Sequence, residues 1–169
     1  DDEAALMAFL GFSDGVAVVP RYNIAPTQPI AIMRVDNGKR QLTFARWGLV
    51  PAWVADPGTF SLLINARSDS VLDKPAFKNA IRRRRGLIPA DGYYEWQSID
   101  GGKRRPYFIH RRDGRLIGFA AVAETWVGPN GEEVDTVAIV TAAASADLAA
   151  LHSRVPVTIE PRDFERWLD

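Results

Sequence analysis

A chain of 169 residues suits one domain with a substantial core. Its 21 Lys and Arg balance 21 Asp and Glu, so net charge neither requires nor excludes a nucleic-acid partner. With no cysteine and two histidines, His110 and His152, the chain has no disulfide framework, no cysteine zinc site and no internal thiol nucleophile, and no metal or cofactor is expected.

DDEAALMAFLGF at the start predicts a short helix, with acids at its N-terminus, apolar Leu6, Phe9 and Leu10, and Gly11 as its stop. No apolar stretch reaches the length of a membrane-spanning helix and the acidic start is no signal peptide, so the cytosol is the expected setting. In VPRYNIAPTQ, together with Pro29, prolines force extended, irregular backbone. PIAIMRV and RQLTFAR predict strands joined by a turn at DNGK. WGLVPAWVADPGTF reads as an ordered loop. KPAFKNAIRRRR reads as a helix with Pro75 in its first turn and Arg82 to Arg85 as a solvated, cationic end.

From residue 86 the pattern turns strongly to strands: GLIPADGYYEWQ, RPYFIHR, RLIGFAAVAETWV and VDTVAIVTAAA, separated by IDGGK, RDGR and GPNGEE. SADLAALHSR predicts a helix capped by Ser145, with Leu148, Leu151 and His152 near one face. PVTI predicts a last short strand and PRDFERWLD a last helix from Pro161. The whole is expected to be a single α+β domain over residues 1–169, built on a mainly antiparallel, strongly curved sheet.

Four stretches join rare polar residues to stiff or aromatic neighbours: Asn23 in RYNIAPT, Asn65 and Arg67 in INARSD, Glu95 in ADGYYEW, and His152 and Arg154 in LHSRVP. Strand alternation places Tyr94 and Trp96 on one face and Glu95 with Tyr93 and Gln97 on the other. An acid beside aromatic rings is suited to moving protons near neutral pH, although an exposed acid on a half-buried strand is the commoner case. The aromatic residues are themselves more often core than a stacking platform. Asn and His donate and accept hydrogen bonds, and Arg grips phosphate in a planar fork. Taken singly, none of these residues exceeds its structural explanation.

Taken together, PRYNIAPTQ, RWGLVPAW, LINARSDS, PADGYYEW, IVTAAA and LHSRVPV stand in the order found in the SRAP (SOS response-associated peptidase) family, which this chain resembles from about residue 20 to its end. The resemblance implies a β-rich α+β fold with a positively charged cleft for single-stranded DNA carrying abasic sites. It implies an N-terminal cysteine, exposed by removal of the initiator methionine, whose α-amine forms a Schiff base with the sugar aldehyde and whose thiol closes a thiazolidine. An α-amine with a pKa of about 7.7–8.0 is substantially neutral at working pH. By motif, Glu95 is expected to handle protons, His152 to act as an acid toward the sugar oxygen, and Asn65 to position the abasic residue. Arg67 and Arg154 are expected on flanking phosphates, with Asn23, Pro26 and Trp53 lining the cleft. Val54 departs from members that carry a second tryptophan there.

The family opens on Met-Cys-Gly-Arg-Phe and continues beyond this last helix, so further residues are expected on both sides of the chain. The implied activity is covalent crosslinking to abasic sites with lyase chemistry and self-processing peptidase activity, in a protein expected to be monomeric. The alternative is a non-covalent module for single-stranded DNA, whose affinity would fall with salt.

Overall fold

The computed structural model describes residues 2–12 and 18–169. In chain order the elements are α1 (Asp2–Leu10), β1 (Pro29–Asp36), β2 (Lys39–Trp47), β3 (Asn65–Arg67), α2 (Lys78–Arg83), β4 (Arg85–Ala90), β5 (Gly92–Ser98), β6 (Arg104–His110), β7 (Ile117–Val127), β8 (Glu133–Ala143), α3 (Ala146–Ala149), β9 (Arg154–Pro156) and α4 (Phe164–Leu168). The expected α+β class and curved sheet are both present.

Five strands close into a barrel in the order β2, β1, β4, β7, β8. Closure is made by parallel pairing of β2 with β8, Arg46 opposite Thr136 and Trp47 opposite Val137. The other barrel pairs are antiparallel. The β1–β2 turn falls at Asn37 and Gly38, both left-handed at φ +49° and +75°, as a two-residue type I′ turn requires.

Alternation along each barrel strand then sorts side chains into an inside and an outside. Ile30 and Ile32 of β1, Ala45 of β2, Ile88 of β4, Ile117 to Ala123 at alternate positions of β7, and Val137 and Ile139 of β8 fill the interior. The outer face of β7 and β8 is covered by α2 and the residue before it, through Phe77, Ala80 and Ile81. The outer face of β1 and β4 is covered by α1 and α4, through Met7, Leu10 and the fully buried Phe164.

Two short strands extend β8 past the barrel. Parallel β3 runs along one edge, from Asn65 opposite Ile139 to Arg67 opposite Thr141, and antiparallel β9 pairs with β8 from Thr141 to Ala143. Strands β5 and β6 form a separate two-stranded ribbon.

Several local expectations are corrected. GLIPADGYYEWQ is not one strand: the chain breaks at Asp91, β4 pairing with β7 in the barrel and β5 with β6 outside it. The helix over the arginine block starts only at Lys78, because Pro75 sits in a preceding turn, and Arg85 already belongs to β4. SADLAALHSR forms only the one turn of α3, so His152 lies on the loop behind it, and the Ser145 hydroxyl makes no cap bond.

Candidate nucleic-acid interface

The sequence of β5 sets the centre of the site. Tyr93, Glu95 and Gln97 point to the protein and Tyr94 and Trp96 point away, 52% and 51% exposed. The expectation that these two aromatics are core is therefore corrected, while Tyr93 does pack inward. Its ring meets Phe119 edge-on at 5.7 Å and helps cover one end of the barrel interior with Ile24 and Trp47. Gly92 allows the ribbon to start there, since a Cβ would stand 2.4 Å from the Ile109 carbonyl. Glu95, next on the inner face, stands beyond this aromatic lid.

Gln97 then pins the loop that carries His152, its Nε2 donating to the Ala150 carbonyl at 2.9 Å. The His152 Nε2 stands 3.8 Å from Glu95 Oε1, with the two side chains 42% and 24% exposed. The Arg154 N–H donates to His152 Nδ1 at 3.1 Å, and the Trp96 N–H to Glu95 Oε1 at 3.2 Å. His152 Nδ1 also stands 3.1 Å from the Arg154 carbonyl, so it accepts from the N–H in one protonation form and donates to the carbonyl in the other. The 3.8 Å gap exceeds a hydrogen bond, so both groups keep a face for a third partner. Burial, and then the charge of Glu95, push the Tyr93 hydroxyl above the ordinary tyrosine range.

Two arginines flank Thr141. Arg154 Nη2 donates to the Thr141 carbonyl at 2.9 Å and to its Oγ1 at 3.2 Å, leaving a buried Nε–H without a partner. Arg67, opposite Thr141 on the other edge of β8, forks onto Asp69 at 3.2 and 2.8 Å. The hydrogen bond from Arg67 holds the Asp69 carboxyl below the usual carboxylate range, helped by the charges of Arg67 and Arg154. Asn65 shares the exposed face of β3 with Arg67.

Trp47 stitches the remaining motifs to the same barrel end. Its N–H donates to the Gln28 carbonyl at 3.0 Å, its carbonyl accepts from Thr27 at 2.7 Å, and its ring N–H donates to the Ile64 carbonyl at 3.1 Å. Pro26 and Thr27 occupy the centre of a turn closed by Gln28 N–H to the Ala25 carbonyl at 3.2 Å, with Thr27 at φ +75°. Exposed Asn23 adjoins Tyr22, whose carbonyl accepts from the Tyr94 hydroxyl at 3.2 Å. Trp53 is 65% exposed on the loop after β2 and packs edge-on against Phe60 at 5.6 Å, while Val54 is buried under Trp126.

The structure thus brings Glu95 within 3.8 Å of His152 and sets Arg67 and Arg154 around Thr141. Asn65, Asn23 and Pro26 are tied to that end through backbone, and the ring partner of Trp53 is Phe60. Sequence reasoning missed Gln97, Asp69, Thr141 and Trp47. Gln97 and Asp69 each lie two residues from an expected site residue, Gln97 on the same face of β5 as Glu95 and Asp69 on the turn after Arg67; Thr141, in a run of small residues, carried no signal. Among the described residues no group of three or more His, Cys, Asp or Glu could hold a metal, and no helix is long and apolar enough to cross a membrane.

The family model for SOS response associated peptidase (SRAP) matches residues 3–169. Abasic site processing protein YoqW of Bacillus subtilis (strain 168) is 33% identical over 150 residues, spanning 89% of this chain and 67% of that protein. YedK of Escherichia coli (strain K12), also an abasic site processing protein, is 33% identical over 150 residues, 89% of this chain and 65% of its own. Abasic site processing protein HMCES of Gallus gallus is 34% identical over 182 residues, with 89% of this chain and 54% of that protein covered. The chain therefore spans between about half and two thirds of the length of these relatives. Among solved structures, a protein from Bordetella bronchiseptica superposes with a TM-score of 0.84 at 24% identity, covering 99% of this chain and 84% of that one, a likeness of fold. A phage-related protein of the same organism gives a TM-score of 0.77 at 29% identity, with 98% of this chain and 76% of that one covered. The chain belongs to the SRAP family.

Proposed function

We propose that this chain is the body of an abasic-site processing protein that binds single-stranded DNA and crosslinks covalently to the exposed sugar. The observation that carries the reading is the Glu95–His152 pair, 3.8 Å apart and partly open to solvent, at the barrel end where Arg67, Arg154 and Asn65 also lie. Arg67 and the partnerless Nε–H of Arg154 suit phosphate oxygens on either side of a sugar. Exposed Trp53 suits a base turned out of a stack.

In this reading the imidazolium form of His152, its Nδ1–H on the Arg154 carbonyl, gives its Nε2 proton to the ring oxygen of the abasic sugar as the C1′–O bond breaks, and the C1′ hydroxyl proton passes to water, which frees the aldehyde. An N-terminal cysteine amine adds to C1′, and loss of the hydroxyl as water leaves the imine. Glu95 takes the proton from the amine and returns one to the departing hydroxyl. The thiol then adds to the imine carbon, its proton passing to nitrogen, and the thiazolidine is closed. The same carboxylate reverses these transfers when the imine returns to the aldehyde, and it is the proton handler for removing residues ahead of the cysteine.

The nucleophile in this scheme precedes Asp1, so the test compares this chain with a protein carrying Met-Cys-Gly-Arg-Phe ahead of it. Each is incubated with single-stranded DNA containing one abasic site and run on a denaturing gel. A shifted band from the longer protein alone is the expected outcome. No band from either, with salt-sensitive binding intact, would replace the reading with that of a non-covalent DNA-binding module.

A further inference from the structure

The opposite mouth of the barrel holds a pocket of about 340 Å³ lined by Arg34, Thr43 and all four arginines from Arg82 to Arg85. The pocket lies at the β1–β2 turn end of the barrel, and Thr43 in its wall is four residues, about 13 Å of extended strand, from Trp47 at the Glu95 end. It is a separate place on the molecule, and its chemistry does not depend on the function proposed for the other end.

Three features of this pocket need a partner. The Thr43 hydroxyl oxygen is sealed from solvent and has no hydrogen-bond partner, which is costly unless something else supplies one. Arg82 and Arg83 are exposed and, among the described residues, form no ion pair. Arg85 donates to the main-chain oxygens of Ile81, Trp167 and Asp169 and, among the described residues, forms no ion pair with an acidic side chain. Among the described residues, the arginines of this pocket that form ion pairs are Arg34, with Asp135 at 3.5 Å, and Arg84, with Glu124. Asp36 and Asp169 add two negative charges to the lining against its five arginines.

A cationic helix end complementing the dipole of α2 accounts for Arg82 and Arg83 alone. It explains neither the concave shape nor the hydroxyl buried in its wall. A phosphoryl group explains all three, because its oxygens accept from guanidinium forks and from a hydroxyl together. We propose that this mouth is a second anion site that takes a phosphoryl group, held by Arg82, Arg83 and Thr43 with Arg34 and Arg85 supplying field. The phosphoryl group is either a free phosphate anion or one phosphate of a polynucleotide running along the barrel.

The test titrates the full-length protein with inorganic phosphate at constant ionic strength, chloride replacing it in the control, and follows arginine Nε–H resonances and the thermal midpoint. Saturable shifts are expected with phosphate and not with chloride. Arg82→Ser with Arg83→Ser is expected to weaken binding at least tenfold, and Thr43→Val several-fold with an unchanged circular dichroism spectrum. A short and a long single-stranded oligonucleotide separate the sources. A flatter salt slope in the double arginine variant for the long strand alone identifies polymer backbone. Saturation by free phosphate, with both strands bound as before, identifies a free anion. If phosphate acts no differently from chloride and neither strand responds to the variants, the proposal is wrong.

Discussion

Tyr93 and Glu95 lie two residues apart on one face of β5, and the phenol senses the carboxylate: burial first, and then the Glu95 charge, disfavour its ionised form. Glu95→Gln removes the second cause and leaves the first. Tyr93 in that variant should therefore ionise at a pH between the ordinary value of about 10 and that of the native protein, read from phenolate absorbance. A folded-state pKa raised above the unfolded one gives stability that is complete below about pH 10 and lost as pH rises through the folded value. The alkaline loss should be smaller in Glu95→Gln, because the gap between the two states narrows. An unshifted phenol would mean that the carboxylate does not face the ring. Arg67 and Asp69 illustrate the opposite case at this scale: a well-formed fork whose members are each 56% exposed is a local orientation device rather than a source of stability.

At the scale of elements, the β5–β6 ribbon is the means by which a barrel presents a carboxylate outside its own lid. That arrangement depends on Gly92, where any side chain meets the Ile109 carbonyl at 2.4 Å and the Phe108 ring at 2.7 Å. Gly92→Ala should cost about 1–3 kcal/mol in denaturant unfolding, as overpacking does, and native stability in that variant would show the ribbon to be looser than these contacts require. Strand alternation in GYYEWQ correctly separated Glu95 from Tyr94 and Trp96, and the DNGK turn was legible because Asn-Gly accepts two left-handed residues. Pro89 and the Asp91–Gly92 pair are turn formers that mark the break at Asp91, but only the partners, β7 and β6, assign β4 and β5 to different sheets. The short α3 was hidden: the helical pattern of SADLAALHSR is overridden where Gln97 and the β8–β9 pairing hold the chain after Ala150.

For the whole molecule, the candidate site is assembled from motifs far apart in sequence that meet at one barrel end, and Trp47 is the main junction. It closes the barrel on Val137, binds the Thr27–Gln28 turn through its backbone, and holds Ile64 beside Asn65 through its ring. Trp47→Phe keeps most of the packing and removes the ring N–H. The Ile64 carbonyl keeps the Ile139 N–H at 2.9 Å and loses the second of its two donors, a loss of about 0.5–1.5 kcal/mol, with faster amide exchange across β3. Unchanged exchange there would mean that β3 is held by β8 alone. The order of the motifs pointed to the family, but no spacing in the sequence reveals that β2 and β8 pair in parallel, because parallel closure leaves no turn between its strands.

The central claim is that Glu95 moves the protons of the crosslinking reaction. Its most direct test is the single-turnover rate of adduct formation on an abasic single strand, for Glu95→Gln against the native residue, in the protein that carries the N-terminal cysteine. A rate lower by about 10² or more is predicted, with unchanged affinity for intact single strand and an unchanged unfolding midpoint. An equal rate in a folded variant would contradict the claim and reduce Glu95 to a structural acid.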